Sequence, residues 1–485
     1  MKLLWTTFAA GLFLALCTLH GASEAAASPV AGVTPNGSPP IPAMVFVEAP
    51  RVRFGNLTQR FPEGSHLVRT SPADRTASLL TLTPGFFAAA DPQVAFDGGR
   101  ILFSAERAKG DFWQVWEVAA DGSGLRQITH GAGDCLEPKY LPQNQIVYTF
   151  VSGAGAQRRS AVYVSQIDGT NAHPITFGPG NFRVETVLRS GRILVSAESP
   201  LGASQGKRAR TLFTLRPDGS GLALLRDDNA RKNRGGAIEL ADGTIVFLEA
   251  TAESADGQLA WIRQGALRAS SLTRSPSDYA SVEQLDDARL IVAKQNSSLS
   301  KNRDFDLYAF DLASKSVGDL LYHDAKASSV QAVPLAPHAL PLIYWSILHP
   351  TAQTGRILCL DSYISQDVAI GRLAGHVASV RVLTLEQPGN REQVVGDAPA
   401  EADGSFYATV PADAPIRFEL LGAKGEILHA QRGWIWVRNG EDRGCQGCHD
   451  SLALAPTNHF PMALRRFDTP TPLGRVMHAQ RVGQR

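Results

Sequence analysis

The stretch that decides the fold is Gln114–Thr129, QVWEVAADGSGLRQIT. Two alternating apolar runs face each other across Asp121-Gly122. Glycine accepts the positive φ that a tight reversal needs, so the stretch reads as a β-hairpin. The same pattern returns in AVYVSQIDGTNAHPIT (Ala161–Thr176) and TLFTLRPDGSGLALL (Thr211–Leu225). Around these hairpins, β-branched and aromatic triplets begin at Val45, Ile101, Ile146, Ile193, Ile245, Leu290 and Leu342, in steps of 56, 45, 47, 52, 45 and 52 residues. Each repeat therefore predicts a four-stranded antiparallel unit that cannot bury both its faces alone, which is the requirement a radial β-propeller meets. Six or seven blades fit, and the seven triplets favour seven. A many-stranded sandwich would not show one hairpin at one phase every ~45–50 residues.

The predicted fold class is all-β, with the six- or seven-bladed propeller at 42–363 followed by a small β-sandwich-like domain at 364–440. From about Ser365 the repeat phase is lost. Ala402–Val437 then alternates apolar and polar residues, with turn signals at Asp403-Gly404 and Lys424-Gly425. Residues 441–485 leave the strand pattern and carry prolines at 456, 461, 470 and 472, so only short helical turns fit there.

At the other end, Met1-Lys2, an apolar run from Leu3 to Leu19 and an Ala-x-Ala site at Ala25–Ala27 have the three parts of a secretory signal, so 1–27 is expected to be removed and 28–41 to be a linker. The predicted location is periplasmic or secreted. Cys17 follows Leu16 rather than a small residue, which argues against lipidation, and no second apolar run of membrane-spanning length follows. With 47 basic and 46 acidic residues the net charge is +1, which gives no electrostatic footprint for nucleic acid.

Five cysteines in 485 residues do not make a disulfide scaffold. Three of them, Cys17, Cys135 and Cys359, are scattered. The other two sit in RGCQGCHD (Arg443–Asp450), and Cys-x-x-Cys-His is the attachment signature of a c-type haem. Two thiols at this spacing add across the vinyl groups, and the next residue offers its imidazole to the iron. The expected cofactor is one covalent haem c, with Cys445 and Cys448 as the links and His449 as the proximal ligand. A structural zinc site would need a second close pair of ligands, which the sequence lacks, and a redox dithiol would need a βαβ context. For the sixth iron position His459, Met462, Met477 and His478 are candidates, alongside an open position. His376 and His429 read as ordinary strand histidines. Arg465 and Arg466, nearest the motif, are the expected propionate partners, with a solvated terminus as the plain alternative. Cys135 and Cys359 are expected as separate thiols, Cys359 in a late strand of the last blade. His130, Asp134 and Glu137 read as loop polar groups, and no nucleophile triad or phosphate loop can be located.

Three blocks, ADGSFYATVPADAPIRFELLGAKG, WIWVRNGEDRGCQGCHD and LAPTNHFPMALRR, resemble the haem-binding middle domain of hydrazine synthase alpha subunits. The propeller repeats resemble the TolB type. The first resemblance implies a propeller followed by a haem c domain, with Cys445, Cys448 and His449 as attachment residues, in a multi-subunit enzyme that joins nitric oxide and ammonia. The family's tyrosine four residues past the motif histidine is here Ala453, so that iron ligand is not carried over.

The leading functional expectation is an exported monohaem cytochrome in electron transfer, with the propeller docking a redox protein partner or other subunits of a complex. The alternatives are a redox enzyme subunit acting on small nitrogen species, with a small molecule as haem ligand, and a propeller binding scaffold whose haem is structural.

Overall fold

The computed structural model describes residues 41–473, apart from 54–56, 71–78, 154, 199–208, 226–231, 252–256, 264–265, 267, 274–278, 297–303, 365–367, 387–390, 432 and 448–459. The expected leader and linker lie outside them. The repeat unit is a four-stranded antiparallel meander. In blade 2 it runs through Ala88–Val94, Arg100–Glu106, Gln114–Ala119 and Arg126–Gln127. The opening hairpin turns as its residues require. Gly122 sits at φ +88°, and the Asp121 carboxylate accepts hydrogen bonds from the Ser123 amide at 2.9 Å and its hydroxyl at 2.7 Å. Asp168 with Thr170, and Asp218 with Ser220, repeat this bond in the next two blades.

The described strands build six blades, not seven. Their innermost strands neighbour one another in a closed ring: Ser328–Pro334, Ala88–Val94, Asp134–Leu141, Phe182–Val187, Lys232–Glu239, Tyr279–Gln284 and back. Blade 1 closes the ring by joining both ends of the repeat region, since Met44–Ala49 pairs antiparallel with Ser328–Pro334. A seventh blade fails at Leu342–Tyr344. Pro337 and Pro341 break up the stretch leading into this run, and it crosses blade turns as an extended strap held by Leu342 N–H to the Arg189 carbonyl at 2.9 Å. Leu342 is 69% exposed there.

The second domain is a sandwich of two four-stranded sheets around one core. One sheet runs Asp442–Cys445, Thr354–Cys359, Phe406–Pro411, Thr471–Pro472, and the other Arg391–Pro399, Ser379–Glu386, Ile416–Leu421, Ile427–Ala430. Ile357, Val380, Val382, Ala408, Val410, Phe418 and Leu420 meet between the sheets. The strand Thr354–Cys359, assigned from sequence to the propeller, belongs to this domain. Its apolar run is indistinguishable from a blade strand, and its partner Phe406–Pro411 lies some fifty positions downstream. The following strand, Asp442–Cys445, brings the start of the cysteine motif into the sandwich sheet as well.

Candidate cofactor-attachment site

The approach to Cys445 is a short segment whose neighbouring residues serve two domains. Trp436 is fully buried among propeller residues, its ring edge-on to Phe182 at 5.5 Å and its indole N–H donating to the Gly219 carbonyl at 2.9 Å. The next residue, Val437, points the other way into the sandwich core. Arg438 stacks its guanidinium over Phe177 at 4.5 Å and pairs with Asp413 at 2.7 Å. Glu441, itself buried, takes the Arg438 amide at 2.7 Å and the Gly221 amide of blade 4 at 2.8 Å. Arg443 donates to the Leu222 carbonyl. The turn of blade 4 at 216–222 is thus the anchor on which the motif strand is laid.

From that anchor Asp442–Cys445 runs parallel to Thr354–Cys359 in unbroken register: Asp442 opposite Arg356, Arg443 opposite Ile357, Gly444 opposite Leu358 and Cys445 opposite Cys359. The Leu360 amide continues the ladder to the Cys445 carbonyl at 2.9 Å. Cys445 ends an edge strand and is half-buried, whereas Cys359 is buried in the core. Gly444 has open space where a side chain would be. Gly447 does not, because an added Cβ would overlap the Ile364 carbonyl oxygen. The glycine inside Cys-x-x-Cys is there because the chain passes that carbonyl. Cys448, His449, His459, Met477 and His478 lie outside the described residues.

The far side of the same sheet end is described. Cys359 pairs with Phe406 on its other flank. Immediately before Phe406, Asp403 and Ser405 hold the 3-10 turn Met462–Arg465: the Met462 amide donates to Asp403 at 2.8 Å and the Ala463 amide to the Ser405 hydroxyl at 2.9 Å. Met462 and Cys445 are therefore gathered at one end of one sheet. Arg466 is already engaged, pairing with Asp468 at 2.7 Å and Glu401 at 3.2 Å, and Arg465 is exposed. His376 is exposed and His429 sits half-buried on the last strand of the other sheet.

Two residues at this end were not singled out from sequence. Among the described residues the side-chain hydroxyls of Ser362 and Tyr363 are buried with no hydrogen-bond partner, as are several polar atoms elsewhere such as Ser329 Oγ, and the Tyr363 ring packs where a Cβ on Gly404 would touch it. Buried hydroxyls are normally satisfied, so adjacent orphans next to a half-buried cysteine suit a site completed by a bound group. Nothing in their sequence context marks them, since the signal is the burial itself.

The remaining candidates are propeller residues. Cys135 is buried between blades 2 and 3, and burial pushes its thiol up to about 12, so it is an inert core residue. Asp134 is buried and accepts the Trp113 amide at 3.1 Å, and His130 is exposed. Glu137 is no loop residue. It sits on the innermost strand of blade 3 at φ +56°, matching Asp91 at +57° and Gln331 at +55° on the innermost strands of blades 2 and 1. Arg60 binds Asp91 at 2.8 Å and reaches Glu137 at 3.7 Å. Arg183 pairs with Glu137, and Thr149 donates to it at 2.9 Å. Burial alone would raise the Glu137 carboxyl, but Arg183 and Arg60 outweigh it and hold it at about 2. With buried Glu185 and half-buried Arg210 beside them, three carboxylates face three guanidiniums in one balanced structural network.

Residues 365–450 match the family described as hydrazine synthase alpha subunit middle domain. Hydrazine synthase subunit alpha of Kuenenia stuttgartiensis is 36% identical over 111 residues, which span 22% of this chain and 14% of that relative, so only a small part of the relative's length is matched. The solved Kuenenia stuttgartiensis hydrazine synthase superposes with a TM-score of 0.77 at 20% identity, over 88% of this chain and 72% of that one, a likeness of fold. Residues 365–450 thus carry a hydrazine synthase alpha-like middle domain, and the propeller before it shares the fold of the solved hydrazine synthase.

Proposed function

We propose that this chain is a haem-bearing subunit of an exported redox complex acting on small nitrogen species, in the manner its family suggests. One observation carries the reading: the matched middle domain, 365–450, ends on Cys445-x-x-Cys448-His449. Cys445 and Cys448 would hold the haem as thioethers and His449 would be its proximal ligand. When bound, haem c supplies an iron centre that exchanges electrons and takes up small ligands. The chain's own contribution is positional. Trp436, Glu441 and Arg443 fix the motif strand to blade 4, and the orphan hydroxyls of Ser362 and Tyr363 offer hydrogen bonds at the same sheet end. Met462, at that end too, is the described residue that would fill the sixth position in the electron-transfer alternative, whereas the enzymatic reading leaves that position open. Residues 1–27 would direct export, which haem attachment to this motif requires. Among the described residues no helix is long and apolar enough to cross a membrane. The propeller would serve as the surface for other subunits.

The test is to produce the chain in a host that matures c-type cytochromes. Porphyrin mass retained after denaturation, with a high-spin spectrum that shifts under nitric oxide, is the expected result. A six-coordinate low-spin spectrum indifferent to nitric oxide would replace enzymatic action with electron transfer. A colourless protein would remove the cofactor altogether.

A further inference from the structure

We infer that Cys359 and Cys445 form a reversible disulfide in the haem-free chain, and that this bond withholds Cys445 from cofactor attachment. The bond is inferred from sheet register alone, and its effect on attachment rests on the haem reading proposed above. Cys359 and Cys445 are direct partners in the parallel ladder between Thr354–Cys359 and Asp442–Cys445. Direct partners on adjacent strands project from the same face, about 4.8 Å apart at Cα. That separation falls inside the roughly 4.4–6.8 Å span a disulfide bridges. Burial agrees with register, because Cys359 belongs to the sandwich core and Cys445 packs against that same cluster.

The register has little freedom to slip. Four consecutive pairs precede or include the cysteines, and Leu360 N–H to the Cys445 carbonyl follows them. A slip of one residue would turn Arg443 and Cys445 to the opposite face and pull Arg443 from Leu222. Cys359 is also held from its other side, since its strand pairs with Phe406–Pro411 along six positions. Cys445 sits at the end of an edge strand. Closing the bond therefore asks movement of the edge strand alone, and a half-buried thiol is the one a small oxidant reaches first.

The chemistry needs an oxidant, which is a small-molecule disulfide of the glutathione class. Cys445 sulfur attacks it and releases one thiol, leaving a mixed disulfide on Cys445. Cys359 sulfur then attacks that mixed disulfide and releases the second thiol. Two protein thiols are oxidised, one small disulfide is reduced to two thiols, and the two protein protons leave with them. One sulfur cannot be both thioether and disulfide, so the bonded state excludes haem attachment at Cys445. A bond between neighbouring strands of one sheet is geometrically tight, which places it among the readily reduced disulfides.

A competitor is built into the sequence: Cys445 and Cys448 are only three positions apart. In an unfolded chain the shorter loop closes more readily. The folded sheet reverses that preference by presenting Cys359 across the ladder. Cys135 does not compete, being enclosed between blades 2 and 3.

The experiment uses the full chain produced without haem maturation, reduced, then exposed to oxidised glutathione in native buffer or in denaturant. Remaining thiols are alkylated and the linkages mapped by mass spectrometry without reduction. The expected native product is the Cys359–Cys445 peptide pair, lost on mild reduction, with Cys448 alkylated or glutathionylated. In denaturant the linkage is expected to shift to Cys445–Cys448. A native product linking Cys445 to Cys448, with Cys359 alkylated only after unfolding, would overturn the inference. Two variants guard the result. Cys448→Ser must keep the native linkage, and failure to form it in a protein with unchanged melting temperature also overturns the inference. Cys359→Ser must lose it, and survival of any native intrachain bond to Cys445 other than through Cys448 counts against it too. None of these readouts depends on iron, so a failed porphyrin test in a cytochrome-maturing host would sink the haem reading and leave the Cys359–Cys445 linkage standing.

Discussion

The blades and the connector Trp434–Cys445 put similar residues to opposite uses. In a blade, the turn-forming polar groups are consumed locally: Asp121 by Ser123, Asp168 by Thr170 and Asp218 by Ser220, each two residues on. In the connector three side chains reach across a domain boundary, while Asp442 stays with Arg356 of its own sheet. Trp436 reaches Gly219, Glu441 reaches Gly221 and Arg443 reaches Leu222. Local satisfaction makes a repeat that can be copied. Long-range satisfaction makes a single joint, and the cysteine motif is built at its end.

The sharpest way to break this contrast is Trp436→Ala. It empties a fully buried aromatic site and orphans the Gly219 carbonyl, so a loss of about 4 kcal/mol is expected. Denaturant unfolding followed by tryptophan-independent probes on both domains would check it. If the connector is the joint, the sandwich should unfold separately in this variant, turning one transition into two.

The matching cut inside the propeller is Glu137→Gln, expected to cost about 3 kcal/mol by leaving Arg183 without its carboxylate. Here one cooperative transition should persist, since the damage stays within the blades. The pH dependence has a definite sign. The folded carboxyl is held at about 2, below its unfolded value, so its stabilisation is present above the ordinary carboxylate range and is lost as pH falls towards 2. An acid titration of stability should flatten in the variant. Glu185, whose carboxyl burial raises, carries the opposite sign, and Glu185→Gln should be neutral or stabilising at neutral pH.

The same contrast explains what the sequence disclosed. Asp121-Gly122-Ser123 and its copies are readable because the bond that makes the turn spans two residues. The blade spacing is readable because each unit is local. The blade number is not, because closure depends on Ser328–Pro334 returning to Met44–Ala49, a pairing across the whole repeat region. Leu342–Tyr344 has a strand's composition, and only Pro337 and Pro341 hint otherwise. The boundary at Thr354 hid for the same reason, its partner being far downstream. At the site, Cys445, Cys448 and His449 announce themselves by spacing. The neighbour Cys359, the orphan hydroxyls and the anchoring of Trp436 exist only once distant strands are brought together.

Gly447→Ala tests the connector's end more gently. The new Cβ meets the Ile364 carbonyl, a backbone atom that cannot swing aside, so about 1–2 kcal/mol of overpacking is expected. The informative readout is the yield of covalent porphyrin per folded chain, which should fall although both thiols and the imidazole are untouched. An unchanged yield would mean the chain passes Ile364 with room to spare.

The smallest change is Tyr363→Phe. Its hydroxyl is buried with no partner, and removing a polar atom that makes no bond relieves a desolvation penalty instead of deleting an interaction. In the haem-free chain the variant should therefore be as stable as the parent or more so, by up to about 1 kcal/mol, since the ring that packs beside Gly404 is kept. In the haem-loaded chain the sign should reverse if the hydroxyl serves the bound group: stability falls relative to the parent and the haem absorption spectrum or reduction potential shifts. A variant that is equally stabilising in both states would make Tyr363 a packing residue with an idle oxygen. The comparison needs both states of both proteins, because only the difference between them separates a ring that fills space from a hydroxyl that waits for a partner.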